Sequence, residues 1–230
     1  MKNLKYIVLS ILLSFCHQSV MAQGVKIYMK DKSVVEIPYT QLDSIVAYDK
    51  ASVAYEWIDL GLPSGLLWAS CNVGAAVPEE YGDYFAWGEI VPKESYDREN
   101  NLTANRHMSD IFGNPQYEAA TANWGAPARM PKKAEMDELY KYCTTTWTSR
   151  NGVNGRLMTG KNGNSIFLPA AGHIDGTWLD NAGEDGGYWS CSPGDKGDEN
   201  AYSLGFCNDF FYWTYDLRYT GYSVRPVRDK

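Results

Sequence analysis

The chain has 230 residues, with 21 Lys+Arg against 28 Asp+Glu and 14% aromatics. A formal charge of −7 leaves no electrostatic footprint for nucleic acid or for an anionic lipid surface. The length fits one ordinary domain with a small appendage, and glycine-rich turns with little helical patterning point to strands and loops.

Lys2 and Lys5 precede an apolar run from Tyr6 to Phe15, and Val20-Met21-Ala22 supplies small residues for cleavage. This predicts a secretory signal peptide over 1–22, because the apolar run is too short to span a membrane. A retained anchor and a lipid-modified Cys16 are the alternatives, and the bulky Phe15 argues against the second. Removing 1–22 leaves 19 basic against 28 acidic residues, a charge of −9. The product is expected in the periplasm, at the cell surface or outside the cell, with no membrane span in the mature chain.

Residues 23–49 read as a small β-hairpin module. Val25 to Met29 and Val34 to Ile37 alternate around Asp31-Lys32, and Pro38 ends the second strand. A helical turn over 39–44 and a third strand over 45–48 complete it, and 50–55 form a linker. The main domain then opens with strands at Trp57 to Leu60, Leu66 to Cys71 and Tyr84 to Trp87. Residues 89–113 are polar and aperiodic, which suits a functional excursion or a partly disordered segment. His107 stands alone there and is expected to face solvent.

Tyr117 to Asn123 suggests a short helix. Pro131 to Tyr142 is a clearer one, with Pro131 near its start and Met136, Leu139, Tyr140 and Cys143 forming one core-facing stripe. Ile166-Phe167-Leu168, closed by Pro169, reads as a central strand covered on both faces. An acidic, glycine-rich loop follows, carrying Trp178, Asp180, Glu184 and Asp185, and then a second apolar run at Tyr188-Trp189. Strands at Ala201 to Cys207, Phe210 to Asp216 and Tyr222 to Arg228 form a closing meander. In its middle strand Phe210, Tyr212 and Thr214 alternate with Phe211, Trp213 and Tyr215, so one set is buried and the other packs under a loop or forms an exposed platform.

Four cysteines remain after export: Cys71, Cys143, Cys191 and Cys207. An even count in an exported chain points to disulfides, with three pairings open. Cys191 and Cys207 sit in two strand-like runs joined by a polar loop, which favours a cross-strand bridge and leaves Cys71 with Cys143. Four reduced, buried thiols are the alternative. No C-x-x-C pair marks a zinc or thiol-redox site. After removal of 1–22 only His107 and His173 remain, and with no G-x-S-x-G elbow they leave little room for a hydrolase triad. The acidic loops at 180–185 and at Asp195, Asp198 and Glu199 could offer oxygens to calcium, but neither follows a D-x-D-x-D-G pattern, so no cofactor is expected. Trp178 and Trp213 are candidate platforms for sugar rings.

Several segments resemble a known family. D-L-G-L-P-S-G-x-L-W-A-S-C-N-V-G-A at 59–75, Y-G-D-Y-F-A-W-G-E at 81–89, A-T-A-N-W-G at 120–125 and R-M-P-K-K-A-E-M-D-E-L at 129–139 are similar to the major paralogous domain family first named from Fibrobacter succinogenes. N-G-N-S-I-F-L-P-A-A-G at 162–172, G-Y-W-S at 187–190 and S-V-R-P-V-R at 223–228 extend the resemblance over about 56–228. Residues 24–49 likewise resemble a hairpin module that precedes such domains in exported Bacteroidetes proteins. The resemblance implies an α+β, C-type-lectin-like fold of the formylglycine-generating-enzyme branch, mostly antiparallel strands and loops with two short helices. That branch's chemistry uses a close pair of C-terminal cysteines, whereas here the last two are sixteen positions apart and the final 23 residues have none. The expectation is therefore a non-catalytic surface or secreted module that binds a glycan or a protein. A structural component of a surface complex, or an enzyme of that superfamily with lost or altered chemistry, are the alternatives.

Overall fold

The computed structural model describes residues 24–28, 34–38, 40, 55–195 and 197–230. The chain divides into two compact units, 1–51 and 52–230. In the first, β1 (Gly24–Tyr28) pairs antiparallel with β2 (Val34–Pro38), from Gly24 opposite Pro38 to Tyr28 opposite Val34. The alternating apolar positions predicted this hairpin. The expected signal peptide, third strand and linker up to Ala54 lie outside the described residues.

The second unit contains β3 (Trp57–Asp59), β4 (Leu67–Ala69), α1 (Ala119–Trp124), α2 (Lys133–Tyr142), β5 (Thr144–Arg150), β6 (Val153–Thr159) and β7 (Ser165–Pro169). There follow β8 (His173–Asp175), β9 (Trp178–Asp180), β10 (Gly186–Pro193), β11 (Asn200–Phe206), β12 (Phe211–Leu217) and β13 (Val227–Arg228). Four small sheets result, with orders β13-β4-β3, β5-β6-β7, β8-β9 and β10-β11-β12, and every pair within them is antiparallel. With two short helices this is an α+β arrangement. Among the described residues no helix is long and apolar enough to cross a membrane.

The strand at the centre of the packing is β10, not β7. Residues Gly186 to Cys191 are all buried. Successive side chains of a strand point to opposite faces. Tyr188 accordingly enters a cluster with Trp68, Met136, Leu139 and Phe206, while Trp189 enters a second with Phe85, Trp87, Met130 and Val224. β7 is covered as expected and, like β10, lies at the edge of its sheet; what sets β10 apart is that its two faces feed both apolar clusters. Tyr84 to Trp87 makes only an isolated bridge, Phe85 to Tyr222, instead of a strand. α2 begins two residues after the expected Pro131, and the Glu135 carboxylate accepts from the Lys132 N–H at 2.8 Å. Of its stripe, Met136, Leu139 and Cys143 are buried, whereas Tyr140 is 56% exposed and stacks on Phe211 at the margin.

A fold with so much irregular backbone must satisfy many buried carbonyls. Three buried arginines do much of this. Arg225 donates to Ala69, Ser70 and Phe167 carbonyls and to Asn72 Oδ1. Arg156 reaches the carbonyls of Cys207, Asn208 and Phe210. Arg218 holds those of Thr103, Arg106 and Asn200 and lies 4.5 Å over the Trp87 ring. Arg218 thereby ties down the polar 89–113 segment, helped by the buried Glu89, which accepts from Leu102 N–H and Asn101 and pairs with Lys93.

The four cysteines among the described residues are free thiols, which departs from the expected pairings. Phe206 lies opposite Gly186, so Cys207 sits beside one end of β10 while Cys191 lies five residues further along. At strand rise that is about 16 Å, against the 4.4–6.8 Å between Cα atoms that a disulfide needs. The Cys71 thiol instead donates to the Ala75 carbonyl, and Cys143 packs in the first cluster.

Candidate functional site

The segment expected as an acidic loop folds as a hairpin. His173 pairs with Asp180, Ile174 with Leu179 and Asp175 with Trp178. Alternation therefore places His173, Asp175, Trp178 and Asp180 on one face. Ile174 is held on the body by exchanging backbone hydrogen bonds with Gly221. Gly172 makes the fold-back possible: its φ is 61°, and a Cβ there would lie 2.0 Å from the Asp180 carbonyl. Trp178 is 75% exposed beside two exposed carboxylates, Asp175 and Asp180. Glu184 is exposed and Asp185 half-buried, in a turn whose amides both donate to the Asn181 carbonyl.

His173 connects this face to the β10-β11-β12 sheet, because its ring lies 5.8 Å from that of Tyr222. On that sheet Gly187 stands opposite Gly205. The Tyr222 ring fills the hollow over Gly187 and the Tyr212 ring that over Gly205, where added Cβ atoms would meet them at 2.1 and 2.5 Å. The Asp216 carboxylate receives the Ser203 hydroxyl and acts electrostatically on the Tyr222 phenol. Burial foremost, and then the Asp216 carboxylate, hold the Tyr222 phenol far above its usual range. Burial and then Asp185 raise Tyr212. His173, on the same hairpin face as Trp178, thus meets Tyr222, whose ring lies on the sheet that carries Tyr212 and Asp216.

The 193–200 loop does not join this surface as a ligand set. Asp195 receives the Tyr202 hydroxyl, Asp198 faces His107 Nδ1 at 3.0 Å, and Glu199 pairs with Arg98. Each carboxylate is engaged by a different element, so the three do not converge. Among the described residues no group of three or more His, Cys, Asp or Glu could hold a metal ion. Trp213 is also not the open platform its alternation allowed. It is half-buried against the first cluster, with Lys133 Nζ 4.8 Å from its ring and Tyr202 at its edge. The exposed set of β12 includes Tyr212 and Tyr215, with Phe210 just ahead of it.

Burial raises Cys71, pushes Cys143 up to about 11 and raises Cys191 further, so these thiols stay protonated near neutral pH. A separate cleft of about 480 Å³ lies between β3 and β7, lined among others by Glu56, Asp59, Ser70, Arg150, Asn164 and Ser165. None of the predicted binding residues lines it. Sequence reasoning singled out Trp178 and Asp180, which share a face, and passed over Asp175 beside them and Asp216, Tyr212 and Tyr222 on the neighbouring sheet. The available signal was Gly187 and Gly205, glycines inside apolar strands, which mark close approach of another group. Compared with known proteins, the chain matches no family model, no curated protein and no solved structure.

Proposed function

We propose that this chain is an exported, non-catalytic binding module of C-type-lectin-like fold that takes a glycan on the Trp178 face. The observation that carries the reading is Trp178 itself, a large apolar ring left 75% exposed directly opposite Asp175 on a hairpin pinned to the body. A sugar offers an apolar C–H face for an indole ring and hydroxyls for carboxylate acceptors, and Asp175 and Asp180 supply the latter beside the former. The test is a glycan array probed with the parent chain and with Trp178→Ala, with and without a calcium chelator. Binding that vanishes in the variant and survives chelation is the expected result. Because Trp178 is so exposed, the variant's stability should change by no more than about 0.5 kcal/mol. Glycan binding that is indifferent to Trp178→Ala overturns the reading.

A second reading, a structural component that docks a protein chain, draws on the exposed Phe210 (67%) and the Tyr140–Phe211 stack. Self-association or partner capture lost in Phe210→Ser but kept in Trp178→Ala would favour it.

A further inference from the structure

We propose that the cleft between β3 and β7 binds an extended peptide segment by strand addition, with a peptide carboxylate seated on Arg150. The two walls are edge strands of different sheets. On β3, the Ser70 N–H donates to the Glu56 carbonyl, so residues 56 and 58 bond to β4 and alternation turns Trp57 and Asp59 toward the cleft. On β7, Gly160 N–H bonds Asn164 O and Ala170 N–H bonds Asn154 O, so the even positions face β6 and the backbone of Ser165 and Phe167 turns outward.

Part of each edge is already capped. The amides of Asn162 and Asn164 reach the Asp59 carbonyl at 2.8 Å, and Arg225 takes the Phe167 carbonyl at 2.9 Å. Between these bridges the Trp57 N–H and C=O and the Ser165 and Phe167 N–H groups face the opening. These backbone groups, a donor and an acceptor on β3 and two donors on β7, are what an added strand would pair with. The charge comes from Arg150, at the rim and 51% exposed. Its Nε is held by Glu79 at 2.6 Å, and Asn151 bonds the same carboxylate. Neither Nη has an acceptor among the described residues, which leaves a fixed fork for a carboxylate. Asp59 is neutralised by Lys230 at 2.7 Å.

The test selects binders from a library of random dodecapeptides on the folded chain and follows amide hydrogen exchange. The expected binders carry a carboxylate and slow exchange at 57, 165 and 167. They weaken about tenfold or more against Arg150→Gln and on N-methylation of alternate peptide amides. Comparing free and amidated C-termini tells a terminal from a side-chain carboxylate. The methylated peptides need no protein variant, so the result stands even if Arg150→Gln folds poorly. Absence of any enriched peptide, protection confined to the Trp178 hairpin, or indifference to methylation overturns the proposal; glycan binding is read separately, by the Trp178→Ala array.

Discussion

Arg225 is wholly buried and has no carboxylate partner among the described residues; its guanidinium is held by Asn72 Oδ1 at 2.8 Å and by the carbonyls of Ala69, Ser70 and Phe167 at 3.2, 3.3 and 2.9 Å. Burial alone pulls its pKa below the usual arginine range. Replacing it with methionine keeps much of the volume but strands four acceptors in an apolar interior. Each unsatisfied group costs about 1–3 kcal/mol, offset by no longer burying a cation, so the net loss should be about 3–5 kcal/mol. For a unit of this size that lowers Tm by about 10 °C. Arg225→Lys keeps the charge yet cannot fork to four acceptors, so it should recover only part of the loss. Urea unfolding followed by tryptophan fluorescence, with calorimetry for Tm, reads both variants. If Arg225→Met stays within about 1 kcal/mol of the parent, the carbonyls find other donors and the account of buried arginines as loop pins fails.

Alkylation without reductant should modify Cys71, Cys143, Cys191 and Cys207 in denaturant but mainly the half-exposed Cys207 in the native protein; a surviving Cys191–Cys207 disulfide would contradict the β10–β11 register. Glu118 is fully buried, and burial outweighs its hydrogen bonds from Gly113 and Thr121, raising its pKa above 4.5. A raised acid binds its proton more tightly when folded, so its contribution is greatest below the unfolded pKa and is lost as pH rises through the folded one. The stability difference between parent and Glu118→Gln should therefore shift against the parent from about pH 4.5 upward; a difference independent of pH would show that the carboxyl is not perturbed. Gly187→Ala forces a methyl against the Tyr222 ring and should cost about 1–3 kcal/mol while loosening Tyr222, visible in near-ultraviolet dichroism. An unchanged spectrum and Tm would place that ring elsewhere.

Local signals located several elements well. The i, i+3, i+7 stripe found α2, and alternation with intervening polar turns found the β11–β12 meander and the β1–β2 hairpin. β5 and β6 were legible too, through Asn151-Gly152, both at positive φ between a threonine run and Arg156-Leu157-Met158, but apolar periodicity passes over a strand pair whose outer member is mostly threonine. Trp178 read correctly as a candidate for exposure, while Trp213 could not be placed, because alternation assigns residues to two faces without saying which face another element covers. α2 and Lys133 cover that one.

Periodicity, turn residues and caps are short-range, and so the chain alone determined its helices, most of its strands and the apolar runs of its core. Sheet order, cysteine separation and the fates of the acidic residues depend on contacts between positions a hundred residues apart, such as Arg98 with Glu199 and Arg225 with Asn72. Only the tertiary structure decided those, because a local pattern marks a run as buried without saying which distant elements pack against it.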